Sequence, residues 1–134
     1  MFDTSKKKVA LLVTAILALL AVFQMLLIFG APFGRFAWGG QNEVLPTSFR
    51  IGSAVSILIY AIIGFVSLSR SQVWHFRNSR AVSIAAWVIA GYFCIGILMN
   101  LASRSTSERL VMTPVVTVLA IASLYVARKD SLIK

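Results

Sequence analysis

Lys6-Lys7-Lys8-Val9-Ala10-Leu11-Leu12-Val13-Thr14-Ala15-Ile16-Leu17-Ala18-Leu19-Leu20-Ala21-Val22-Phe23-Gln24-Met25-Leu26-Leu27-Ile28-Phe29 decides the fold. Three lysines precede an apolar run of about 21 residues, which as a helix is roughly 31 Å long and matches the hydrocarbon thickness of a bilayer. A signal peptide also begins with lysines, but its apolar region is shorter and ends at a small-residue cleavage site. The run is therefore expected to be an uncleaved first span. Gln24 is its only strongly polar side chain. Its amide is expected to bond a neighbouring helix; lining a pathway is the alternative.

The rest of the chain has the same character. Of its 134 residues, 59% are hydrophobic and 13% charged, against about 25% charged in soluble domains. So small a domain cannot hide that much apolar surface from water, so lipid must be the solvent for most of it. Three further apolar runs follow, at about 49–68, 81–101 and 109–127. The second carries Gly52, Ser56, Tyr60 and Gly64 four apart, and the third carries Ala86, Ala90 and Cys94. Such stripes let helix backbones approach closely where no water drives packing, and Cys94 is expected to pack as a small side chain. Thr113-Pro114 falls in the first turns of the fourth run, where a kink or a restarted helix is expected. Thr47 or Ser48 is a candidate cap for the second helix, and Ser105 with Glu108 fits a capping box for the fourth. The fold class is thus all-α, a single integral membrane domain built as a four-helix bundle.

With four spans both ends of the chain share a side. That side carries Lys6, Lys7, Lys8, Arg70, Arg77, Arg80, Arg128, Lys129 and Lys134; the other carries Arg35, Arg50, Arg104 and Arg109. The positive-inside rule makes the side with nine cations cytoplasmic. The net charge of +9 then belongs to headgroup contacts, with anionic lipids as partners. Nucleic acid is not expected, since no basic helix or aromatic platform lies outside the spans. The connector 69–80, with Trp74, His75 and Phe76 among arginines, reads as an interfacial aromatic and basic belt.

The outer face holds the one long polar segment, residues 30–50. Gly30, Pro32 and Gly34 stop the first helix. Phe33, Phe36 and Trp38 alternate with glycines and Arg35, and Gly39-Gly40 reads as a tight turn. An ordered extracytoplasmic hairpin over the bundle is expected. It would meet the second outer loop, 102–109, bringing together Arg35, Trp38, Glu43, Arg50, Asn100, Arg104, Glu108 and Arg109. Two acids among four arginines leave surplus positive charge, suited to a lipid phosphate, a small anion or a carboxylate. The plainer expectation is that arginine–glutamate pairs pin the loop to the bundle.

Catalysis lacks its usual parts. One histidine and four scattered acids provide no metal set, carboxylate pair or triad on one face. One cysteine makes no internal disulfide. No Gly-Lys-Ser/Thr follows the glycines, so no phosphate loop forms. No acid lies mid-span to carry a proton. No cofactor or metal is expected.

The motif Gly30-Ala31-Pro32-x-Gly34, Trp38-Gly39-Gly40, Leu45-Pro46 and Arg50, with Asn100, Ser103, Ser105 and Glu108-Arg109 further on, resembles a group of small bacterial four-span proteins of unassigned function. The resemblance covers most of the chain. It implies a bacterial inner-membrane protein in which the loop matters, and it brings no activity with it. Small fluoride channels are similar in size and glycine content, but their phenylalanine- and threonine-rich filter segment is not matched. The leading expectation is a non-enzymatic membrane protein whose outer loop binds a lipid headgroup, a small anion or a partner protein. Alternatives are an oligomeric transporter or channel subunit, with a polar path through Gln24, Ser56 and Asn100, and a lipid-modifying enzyme using Glu43 or Glu108.

Overall fold

The computed structural model describes residues 4–73 and 79–128, so Trp74, His75, Phe76, Arg77, Lys129 and Lys134 lie outside the described residues. Four helices make up the fold: α1 (Thr4–Ile28), α2 (Thr47–Arg70), α3 (Arg80–Leu101) and α4 (Thr106–Ala127). All four are long and apolar enough to cross a membrane, and no strand occurs among the described residues. Each buries only 22–33% of its most apolar stretch inside the bundle. Leu19, Phe29 and Leu98, for example, are largely exposed. That outward apolar surface requires lipid, because water would make it an aggregation surface.

α1 is already helical at Thr4, two residues before the lysine run and five before the apolar stretch at Val9. α2 runs past Leu68 to Arg70. α1 packs chiefly on α2, and α3 chiefly on α4. Val13 and Leu17 of α1, Ile63 of α2, Phe93 of α3 and Leu119 of α4 form the central core. Van der Waals packing, rather than the hydrophobic effect, holds that core in lipid. Gly64 lies against Thr14 of α1, Ala86 and Ala90 are buried, and Cys94 instead faces outward. α4 is one continuous helix across Pro114 and does not restart there. Near the proline, the Thr117 hydroxyl bonds the Thr113 carbonyl at 2.7 Å.

Lys6 and Arg70 differ most from the sequence reading. Both were expected at headgroups, yet they are 1% and 6% exposed. Lys6 Nζ donates to the Arg128 carbonyl. Arg70 Nη2 donates to the carbonyls of Ala127 and Arg128 at 3.1 and 3.2 Å. The last carbonyls of a helix lack intrahelical partners and carry partial negative charge. Two cations from α1 and α2 therefore cap the end of α4. These bonds also put the start of α1, the end of α2 and the end of α4 at one end of the bundle. Around them Val66, Val82, Ala86 and Ala127 form a second cluster.

Candidate functional site

At the opposite end the chain between α1 and α2 is ordered by local chemistry. Gly30, in the left-handed region at φ 91°, ends α1. Two short 3₁₀ turns follow, Gly34–Phe36 and Trp38–Gly40. Gly34 donates to the Glu43 carbonyl at 2.9 Å, which closes the loop on itself. A Cβ at Gly34 would stand 1.7 Å from the Asn42 carbonyl oxygen, so only glycine fits that close approach. Leu45 and Ala37 are buried against Leu27, with Phe23 and Phe49 beside them. The loop thus carries its own small core. α2 starts without a side-chain cap: neither Thr47 nor Ser48 takes that role, and the Pro46 carbonyl receives the N–H groups of Phe49 and Arg50 at 3.1 Å each.

The helical loop segment then docks on α2 and α4. The Trp38 ring stacks on Phe49, centroids 5.3 Å apart, and its Nε1 donates to Ser53 Oγ at 3.3 Å. Gly52 leaves room for that ring: a Cβ there would lie 2.7 Å from Trp38 Cη2. On the α4 side, Ser105 caps the helix by accepting the Glu108 N–H at 3.2 Å and donates its hydroxyl to the Arg35 carbonyl. Gly40 sits directly against Ser105. The capping box is only half formed. The Glu108 carboxylate does not turn back to Ser105 N; Ser103 Oγ receives that N–H at 3.2 Å. Instead Glu108 Oε2 accepts the Gly39 N–H at 3.1 Å and the Ser103 hydroxyl.

Beneath this roof lies a cleft of about 560 Å³, within the range of ligand sites. Phe36, Ala37, Trp38 and Gly39 form its roof. Leu20, Phe23 and Gln24 of α1 line one wall, and Tyr92, Ile95, Gly96, Met99 and Asn100 of α3 the other. Glu108, Met112, Val116 and Leu119 of α4 lie between, and Tyr60 comes from α2. Tyr92, Ile95 and Met99 are exposed, so the cleft opens sideways onto the face that lipid would cover. Gln24 is 8% exposed; its Nε2 bonds Tyr60 Oη at 3.3 Å, and its Oε1 is buried with no partner.

Three of the eight residues singled out in the sequence line this cleft: Trp38, Asn100 and Glu108. The other five do not. Arg50 Nε bonds the Leu45 carbonyl at 2.8 Å and closes the base of the loop beside Gly30. Arg35 lies over the Phe36 ring at 4.8 Å, and Arg109 bonds Thr106 Oγ1 at 3.2 Å. Glu43 and Arg104 are exposed. No arginine–carboxylate pair forms among these outer residues; backbone bonds and glycine contacts pin the loop instead. Ser56 spends its hydroxyl on the Gly52 carbonyl at 3.0 Å and does not line the cleft. Tyr60 and Ser103 join the site without having been chosen for it, and Gln24 joins it having been named only for the alternative polar path. The lone polar residue of the first span was the signal for Gln24.

Comparison with protein-family models, with curated proteins and with solved structures finds no match to this chain.

Proposed function

We propose that this is a non-enzymatic multi-pass protein of the bacterial inner membrane that binds an amphiphilic ligand in the cleft beneath its outer loop. The observation that carries this reading is the cleft itself: mostly apolar walls, a lateral opening at Ile95 and Met99, and a buried carboxylate, Glu108, at its outer end. An acyl chain suits the walls, and a headgroup suits the polar end. The excess of lysine and arginine at the Lys6 and Arg70 end makes that end cytoplasmic. Arg35, Arg104 and Arg109 then ring the outer rim, exposed to the phosphates of surrounding anionic lipids.

Native mass spectrometry of the purified chain with co-purified lipid tests the reading. Ile95→Trp places a bulky ring at the mouth, on an exposed position that leaves the core alone. It is expected to lower lipid occupancy while thermal stability stays unchanged. Equal occupancy in the two proteins would remove the cleft as the site. A cysteine at Gln41 is expected to react with a membrane-impermeant maleimide from outside the cell; reaction only from the cytosol would reverse the orientation.

A lipid-modifying enzyme is the second reading, favoured by one observation: Glu108 is an acid beside a lipid-accessible cleft. A mass change in the bound lipid over time, lost in Glu108→Gln, would select it.

A further inference from the structure

Resting on the cleft as the binding site, we propose that the ligand's head is a primary ammonium rather than an anion. Three residues that line the cleft each have a side-chain oxygen without a protein partner. Gln24 commits its Nε2 to Tyr60, which leaves Oε1 buried and unpartnered. Asn100 commits its Nδ2 to the Gly96 carbonyl of its own helix at 2.8 Å, which leaves Oδ1. Glu108 receives both of its donors on Oε2, which leaves Oε1. Each amide nitrogen keeps a second N–H, but the only charged group among these residues is an acceptor, the Glu108 carboxylate, so the complementary group is a cationic donor.

Charge points the same way. Glu108 is 9% exposed, and among the described residues no lysine or arginine lines the cleft. A carboxylate held out of water without a cation is costly, and a cation brought by the ligand removes that cost. The aromatic side chains of Tyr60 and Tyr92 also line the cleft, and aromatic rings attract cations. An anionic head would meet the Glu108 carboxylate there, with no lysine or arginine among the described residues lining the cleft to offset it. A quaternary ammonium would supply charge but no N–H, whereas a primary ammonium supplies three. The apolar inner walls, Leu20, Phe93, Val116 and Leu119, suit an alkyl tail. The same head chemistry occurs on an amine-bearing phospholipid and on a soluble amine.

The test uses the full chain and native mass spectrometry with dioleoyl lipids of matched tails. Phosphatidylethanolamine is expected to be retained at least about tenfold over phosphatidylcholine and phosphatidylglycerol, the size of one charge-assisted hydrogen bond. Glu108→Gln is expected to bring it down to the phosphatidylcholine level, because glutamine still accepts from Gly39 and Ser103 but carries no charge. Dodecylamine should compete and ethanolamine should not; equal competition by ethanolamine would support the ammonium but assign it to a soluble amine. If phosphatidylcholine or phosphatidylglycerol binds as well, and Ile95→Trp still blocks it, the ammonium is overturned and the cleft stands. If Ile95→Trp blocks nothing, the cleft falls, and the ammonium with it.

Discussion

The Glu108 carboxylate accepts the backbone N–H of Gly39 at 3.1 Å, joining positions 69 residues apart. This bond fastens the roof of the cleft to the first turn of α4. Both partners are held in place locally: Gly39 by its left-handed backbone, Glu108 by the Ser105 cap and the Ser103 hydroxyl.

Glu108→Ala is expected to release the roof and cost about 1–3 kcal/mol, because the Gly39 N–H and the Ser103 hydroxyl lose their acceptor. Glu108→Gln keeps an acceptor and should hold the roof down. A spin label at Gln41, in a Cys94→Ala background, reads this directly. It should be mobile with alanine and immobile with glutamine; equal mobility would show that the bond does not hold the loop.

Two glycines of the loop should respond differently to alanine. Gly34→Ala drives a methyl into the Asn42 carbonyl, which is backbone and cannot swing aside, so the loop should fail to close. Gly39→Ala meets no atom within 4 Å and only the strain of φ 80°, about 1–2 kcal/mol. Hydrogen exchange at the Gly34 amide separates the two. Exchange should be fast in the first variant and slow in the second.

Trp38 and Gly52 form a fitted pair. Gly52→Ala alone should displace the indole and break its bond to Ser53, at a cost of about 1–3 kcal/mol. Trp38→Ala alone should loosen the loop. Because the added methyl then meets empty space, the double variant should be more stable than the sum of the single changes predicts. Additive melting temperatures would contradict the contact.

At the inner end, Arg70→Leu removes the donors to the Ala127 and Arg128 carbonyls, and Lys6→Met removes another to Arg128. Arg70→Leu should cost about 1–3 kcal/mol, because the Ala127 carbonyl is orphaned, and Lys6→Met less, because Arg70 still donates to the Arg128 carbonyl; each should speed hydrogen exchange in the last turn of α4. Lys8→Met changes an exposed lysine on the same run and should alter neither. If all three behave alike, these cations serve headgroups and not the helix end.

Ser105 shows how far local pattern reaches. Its spacing to Glu108 announced a cap, and the cap is there. The pattern sends the carboxylate back to the Ser105 N–H, but a loop some seventy positions earlier in the chain draws it to the Gly39 N–H instead. Lys6 and Arg70 show the same limit. A cation beside an apolar run looks alike whether it faces a phosphate or the end of another helix. Trp38 is the third case: an aromatic among glycines at a span's end suggests the membrane surface, yet the space at Gly52 takes it onto α2.

Hydrophobicity over twenty residues, four times repeated, was enough to determine the class of this protein and the pairing of its ends, because a bilayer admits few ways to satisfy a backbone. Glycine and proline placement was enough to mark the loop. Which side chains converge was decided only by the tertiary structure. Gln24, Asn100 and Glu108 come from three helices, and no local rule relates the rotation of one helix to that of the next. Close packing sets those rotations, and with them the cleft.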